Sequence, residues 1–153
     1  MMRVNFMGVP QEVIVDDYFP VYEDNKAVFA KPREGNEVWE MVLEKVWAKL
    51  RGSYSNIQSG LPHEVMTTFS HAPCFFLDLN SEEEKFVWLQ LQDACHERFP
   101  TVASSRSNLP MECAIRQSQT YSILGSYELQ AYGQIIGRVV KLACPTEMEV
   151  FES

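Results

Sequence analysis

Gly35-Asn36-Glu37-Val38-Trp39-Glu40-Met41-Val42-Leu43-Glu44-Lys45-Val46-Trp47-Ala48-Lys49-Leu50-Arg51-Gly52-Ser53-Tyr54 is the stretch from which the fold is read. Trp39, Val42, Leu43, Val46 and Leu50 recur at i, i+3, i+4, i+7 and i+11, which lays one apolar stripe along a helix. Glu40, Glu44, Lys45 and Lys49 fall on its other faces. Asn36 is placed to cap the start. Gly52 is placed to end it, because glycine takes a left-handed cap without strain.

Working outward, the β-branched run Glu12-Val13-Ile14-Val15 reads as a strand stopped by Asp16-Asp17 and Pro20. Asp24-Asn25 suits a turn, and Lys26-Ala27-Val28-Phe29-Ala30 reads as a returning strand. This predicts a strand pair over 12–30, followed by a loop from Pro32 to Gly35. Downstream, a short helix is predicted over 64–70. Cys74-Phe75-Phe76-Leu77-Asp78-Leu79 reads as a buried strand. Ser81 and Glu84 form an S-x-x-E capping box opening a helix to about Arg98, with Phe86, Val87, Leu91, Ala94 and Cys95 mostly inward. Pro100 prevents continuation, so the helical part covers 36–98.

From Thr101 the texture becomes β-like, with runs at 101–103, 114–115, 120–124 and 135–142, and the antiparallel β part is taken as 101–151. Gln134 to Cys144 reads as a hairpin arm, with Gly137-Arg138 at its tip or at a bulge. Strands, helices and then antiparallel strands make an α+β fold, helices packed on a small antiparallel β-sheet or barrel. Residues 1–153 are read as a single domain without repeat, low-complexity segment or linker.

A chain of 153 residues buries roughly 70% of its unfolded surface, enough for a self-standing core. Thirteen Lys and Arg face 21 Asp and Glu, a net charge of −8, which lacks the basic footprint that binding to nucleic-acid phosphates requires. No window approaches the ~20 apolar residues of a membrane span. The N-terminal stretch, broken by Asn5, Gly8 and Pro10, lacks the apolar core of a signal peptide. The expectation is a cytoplasmic protein with Cys74, Cys95, Cys113 and Cys144 as reduced thiols.

Several strings resemble the calpain family. Val13-Ile14-Val15-Asp16-Asp17-Tyr18-Phe19-Pro20 is similar to its β-run ending in Asp-Asp and Leu-Pro. Gly35-Asn36-Glu37-Val38-Trp39 with Leu43-Glu44-Lys45-Val46-Trp47-Ala48-Lys49 resembles "GNEFW…LLEKAYAK", continued by Gly52-Ser53-Tyr54. Tyr121-Ser122-Ile123 resembles the end of "HAYSV", and Val139-Val140-Lys141-Leu142-Ala143-Cys144-Pro145 is similar to "LIRLRNP". The resemblance implies a papain-like cysteine protease core split into two subdomains, and specifically its second, histidine- and asparagine-bearing subdomain.

That chemistry needs a thiolate activated by an imidazole, which a side-chain amide orients. The family's Gly-x-Cys-Trp nucleophile motif is absent. In the resemblance, the histidine position is Gln119, whose amide takes no proton at neutral pH. The asparagine position is Cys144, and Thr146-Glu147 replaces the following Trp-Gly. No catalytic residue is therefore assigned. Glu147, Glu149 and Glu152 lie near the family's calcium segment, but Val150 stands where a ligand glutamate is expected, and a calcium site needs several convergent oxygens. No metal and no cofactor are assigned.

His63, His71 and Cys74 have irregular spacing for zinc, and the two histidines read as exposed loop side chains. Cys95 and His96, adjacent on a helix, point in different directions, so Cys95 reads as packing. Cys113 and Cys144 read as small buried hydrophobes. Trp39, Trp47 and Trp88 read as core anchors, Trp47 partly exposed. The functional expectation is a non-catalytic pseudoprotease domain acting as a structural, regulatory or protein-interaction module, in a cytoskeletal or ciliary assembly by analogy with divergent calpain-like proteins. The alternative is half of a split calcium-dependent endopeptidase, completed by a partner carrying the first subdomain. A third reading is a decoy that binds calpain substrates without cutting them.

Overall fold

A computed structural model describes residues 1–31, 37–109 and 115–144. Within them the chain gathers into two compact units, residues 1–76 and 77–153, where the sequence pattern reads as one subdomain. Among the described residues, three α-helices and two small antiparallel sheets make a mixed α+β fold. Both sheets are open, so of the two sequence-based alternatives it is the sheet, not the closed barrel, that forms among the described residues.

The first unit opens with a hairpin, β1 (Met2–Phe6) and β2 (Val9–Val13), in register from Met2 opposite Val13 to Phe6 opposite Val9. Met7 and Gly8 form its two-residue turn with φ of 52° and 80°, the positive values such tight hairpins require. The strand pair is thus earlier than the expected 12–30. Of that stretch only Glu12 and Val13 lie in a strand, and the returning run supplies a single bridge, Val21 opposite Ala27.

The helix predicted from the apolar stripe is α1 (Trp39–Arg51). Val46, fully buried, joins Val4 and Val13 in the core, with Val42, Leu50, Met2, Val15 and Phe69 packed around them. Burial of a valine of this kind stabilises by roughly 1.5–3 kcal/mol. Glu40 in the first turn and Lys49 and Arg51 in the last complement the helix dipole. Gly52 ends the helix with φ of 93°, its N–H donating to the Lys49 carbonyl. Val38 holds the N-cap position without a side-chain cap bond, and the expected cap Asn36 lies outside the described residues. Trp39 does not anchor the core: it sits at the open end of the stripe, 56% exposed. Trp47 is half-buried between Phe6 and Phe69, with the Arg51 guanidinium 4.7 Å over its ring.

A 3-10 turn at Tyr54–Ile57 leads to α2 (Pro62–Ser70), which starts with proline at its first turn and packs on β1. His71 closes it in a left-handed conformation. The Cys74 to Leu79 run forms no strand. Phe75 and Phe76 are 72% and 75% exposed, and Asp78 begins a turn instead. A short apolar run does not by itself say whether a neighbour will take up its backbone groups.

In the second unit, α3 (Glu84–His96) is shorter than expected and is not opened by a capping box. Glu83 is the N-cap residue, the Ser81 hydroxyl donates to the Asp78 carbonyl at 3.1 Å, and Glu84 pairs with Arg138. Phe86 lies outward rather than inward. The helix is tied to a three-stranded sheet of order β3 (Val102–Ser104), β4 (Thr120–Ala131) and β5 (Gln134–Ala143). Trp88, 7% exposed, donates its indole N–H to Glu128 of β4 at 2.9 Å, and the Arg138 guanidinium sits 5.3 Å over its ring. Tyr132 and Gly133 make the hairpin tip with positive φ. Gly137, opposite Leu129, therefore lies at the bulge, because Gln130 already pairs with Ile135. Ile115 lies in a bend rather than a strand; Ala114 is outside the described residues.

Candidate functional site at the head of the β4–β5 pair

Gln119 immediately precedes β4 and Cys144 immediately follows β5. Because Ser122 stands opposite Ala143, the register brings both residues to the same end of the antiparallel pair. Both are half-buried.

Gln119 is held by Ser105, the residue after β3. The Ser105 N–H donates to the Gln119 carbonyl at 2.8 Å, and the Gln119 N–H donates to the Ser105 hydroxyl oxygen at 2.9 Å. That hydroxyl in turn donates to the Arg116 carbonyl at 2.5 Å. One step outward, Ser118, at φ of 52°, donates to the Arg106 carbonyl at 3.1 Å. One step inward, the Ser104 and Thr120 hydroxyls lie 3.1 Å apart. Tyr121 is buried, and its phenolic oxygen accepts the Arg116 N–H at 2.8 Å. A buried phenol needs such a partner. Positions 105 and 119 are thus joined by side chains from both flanking strands.

The Gln119 side chain is a neutral amide donating to the Thr120 carbonyl at 3.1 Å. It offers hydrogen-bond donors and an acceptor, and no group that exchanges a proton near pH 7. The sequence locates Gln119 and Cys144 but not Ser105, Arg116 or the Tyr121 hydroxyl around them. The doublet Ser104-Ser105 after a short β-run was the available signal.

The other described candidates lie on or near α2 and α3. His63 lies in the first turn of α2, exposed, with the Cys74 thiol 3.5 Å from its carbonyl oxygen. His71 is the exposed cap after α2. Cys95 is half-buried and His96 exposed on α3, and Cys74 and Cys95 are free thiols. Among the described residues no three His, Cys, Asp or Glu side chains gather as a metal site. Glu147, Glu149, Val150, Glu152 and Cys113 lie outside the described residues. No described helix is long and apolar enough to cross a membrane.

A family model described as "Calpain family cysteine protease" matches residues 1–151. Among curated proteins the chain is similar to the calpain-type cysteine protease ADL1 of Oryza sativa subsp. japonica, 30% identical over 97% of this chain and 7% of that protein. It is 29% identical to the calpain-type cysteine protease DEK1 of Arabidopsis thaliana over 97% of this chain and 7% of the relative. It is also 29% identical to the human calpain-1 catalytic subunit, over 84% of this chain and 18% of that subunit. The chain spans less than a fifth of the length of each of these relatives. With the family match running almost end to end, the chain belongs to the calpain family of cysteine proteases.

Proposed function

We propose that this chain is a non-catalytic calpain-family module, a pseudoprotease that works by binding rather than by cutting. The observation that carries this reading is Gln119: the residue aligned by the strings around it with the family histidine is an amide, locked by its backbone to Ser105. Cys144, at the position aligned with the family asparagine, stands at the same end of the strand pair. A thiol is a poorer orienting donor than a side-chain amide, and a glutamine is no general base. The role that remains is structural, regulatory or protein-interacting, in a cytoplasmic, cytoskeletal or ciliary setting, with other proteins as partners.

The test is a peptide-hydrolysis assay on the purified chain under reducing conditions, with and without calcium, using a fluorogenic calpain-type peptide. Silence in both conditions is expected. Thiol-dependent turnover that disappears on alkylation would overturn the proposal.

A further inference from the structure

Residues 16–30 are held in place differently from the rest of their unit. None of them is buried, and Asp16, Asp17, Tyr18 and every residue from Pro20 to Lys26 are exposed. Their own hydrogen bonds are mostly internal. Tyr22 N–H donates to the Lys26 carbonyl at 2.8 Å and Val28 N–H to the Pro20 carbonyl at 3.1 Å. The Asp16 and Asp24 carboxylates accept the N–H groups of Tyr18 and Lys26.

What fastens this segment comes chiefly from the polar faces of α1. Lys45, whose side chain is only 16% exposed, gives its ammonium to the Asp16 carboxylate and the Tyr18 carbonyl and lies 5.3 Å from the centre of the Phe19 ring. Lys49 donates to the Ile14 carbonyl at 2.6 Å, at the segment's root. At the far end Glu44 accepts the Ala30 N–H at 2.8 Å, and the Phe29 ring stacks on Tyr54 at 4.1 Å.

We propose that residues 16–30 form a strap that opens as a unit from an intact hairpin–helix body, latched by Lys45 and Lys49 at one end and by Glu44 at the other. The core of Val4, Val13 and Val46 lies outside the strap, so opening costs the latch contacts and little apolar burial. Segments with few buried apolar contacts are those that open below the global unfolding free energy. The latch is nonetheless firm, because a largely buried ammonium without acceptors is unfavourable. At the strap's root, Ile14 and Lys49 line a groove of about 450 Å³ with Phe6, Gln11, Glu12, Val13 and Leu50.

Amide hydrogen exchange on the full chain tests this, comparing wild type with the Lys45→Met/Lys49→Met double variant, which keeps the aliphatic stems. In wild type, the amides of Tyr22, Val28 and Ala30 should exchange faster than those of Val46 and Ala48. In the variant, strap exchange should rise by at least about tenfold, the factor that about 1.4 kcal/mol represents, with protection of α1 and of the Met2 to Val13 hairpin unchanged. Glu44→Ala should accelerate Ala30 more than Tyr18. Strap amides that exchange in step with α1, strap exchange unaltered in the double variant, or loss of the hairpin–helix body in that variant would each overturn the proposal.

Discussion

Ser105 and Gln119 exchange backbone and side-chain hydrogen bonds at 2.8 and 2.9 Å, and through this pair β3 carries the residue that stands at the head of β4. The hydroxyl of Ser105 also donates to the Arg116 carbonyl, so one side chain ties Arg116 and the Gln119 backbone together.

Replacing Ser105 with alanine leaves the Gln119 N–H without its acceptor and removes the donor to Arg116. A part-buried donor left unsatisfied costs about 1–3 kcal/mol. Chemical denaturation should show a loss in that range, with faster exchange of the Gln119 amide, and Ser105→Thr should restore most of it. An alanine variant as stable as wild type contradicts this role.

Trp88 joins α3 to the sheet by a directed bond as well as by packing. Trp88→Phe keeps an aromatic ring but deprives Glu128 of its indole donor, leaving Arg138 Nε at 3.9 Å from the carboxylate. Hydrogen bonds to charged groups contribute about 1.5–3 kcal/mol, so a loss of roughly 1–2 kcal/mol in urea unfolding is expected. Arg138→Met, which removes the cation over Trp88 and its contact with Glu84, should cost less, because its pairing with the exposed Glu84 is worth little.

The ammonium of Lys45 beside Asp16, helped by the Tyr18 N–H, holds the Asp16 carboxyl below the usual carboxylate range. Asp17 adjoins it, and Lys49 is the next cation along α1. In the unfolded chain this group titrates at about 3.9. Its folded value being lower, its contribution is fully present above the unfolded value and is lost as pH falls through the folded one, where the unfolded chain binds the extra proton. The melting-temperature gap between wild type and Asp16→Asn should therefore be steady above about pH 5 and shrink below about pH 4. A gap that widens on acidification would contradict the assigned sign.

The stripe of α1 was legible because Val42, Val46 and Leu50 lie where a period of 3.6 meets a core. That period does not say where the core stops, so Trp39, on the same stripe, turns out exposed. The Met2 to Val13 hairpin was hidden by its own chemistry. Pro10 argues against a strand, and Met7-Gly8 lacks the Asn-Gly turn signal. Pro10 is tolerated because a two-stranded sheet gives each strand an open edge for a missing N–H. The helical period places Lys45, Lys49 and Glu44 only on the faces away from the stripe, and their work on residues 14–30 depends on where a remote segment lies. At the site, strings placed Gln119 and Cys144, whereas Ser105 reaches Gln119 only through the pairing of β3 with β4, which no local pattern encodes.

The proposal that this chain binds rather than cuts stands or falls with the amide at Gln119 and the thiol at Cys144. The most direct measurement mixes the chain with a calpain first subdomain bearing an intact cysteine and follows peptide hydrolysis together with labelling of that cysteine by a thiol-directed electrophile. With Gln119 and Cys144 in place, the mixture should show no turnover above the subdomain alone and no acceleration of labelling. Turnover that requires this chain, and is lost when Gln119 or Cys144 is replaced by alanine, would contradict it.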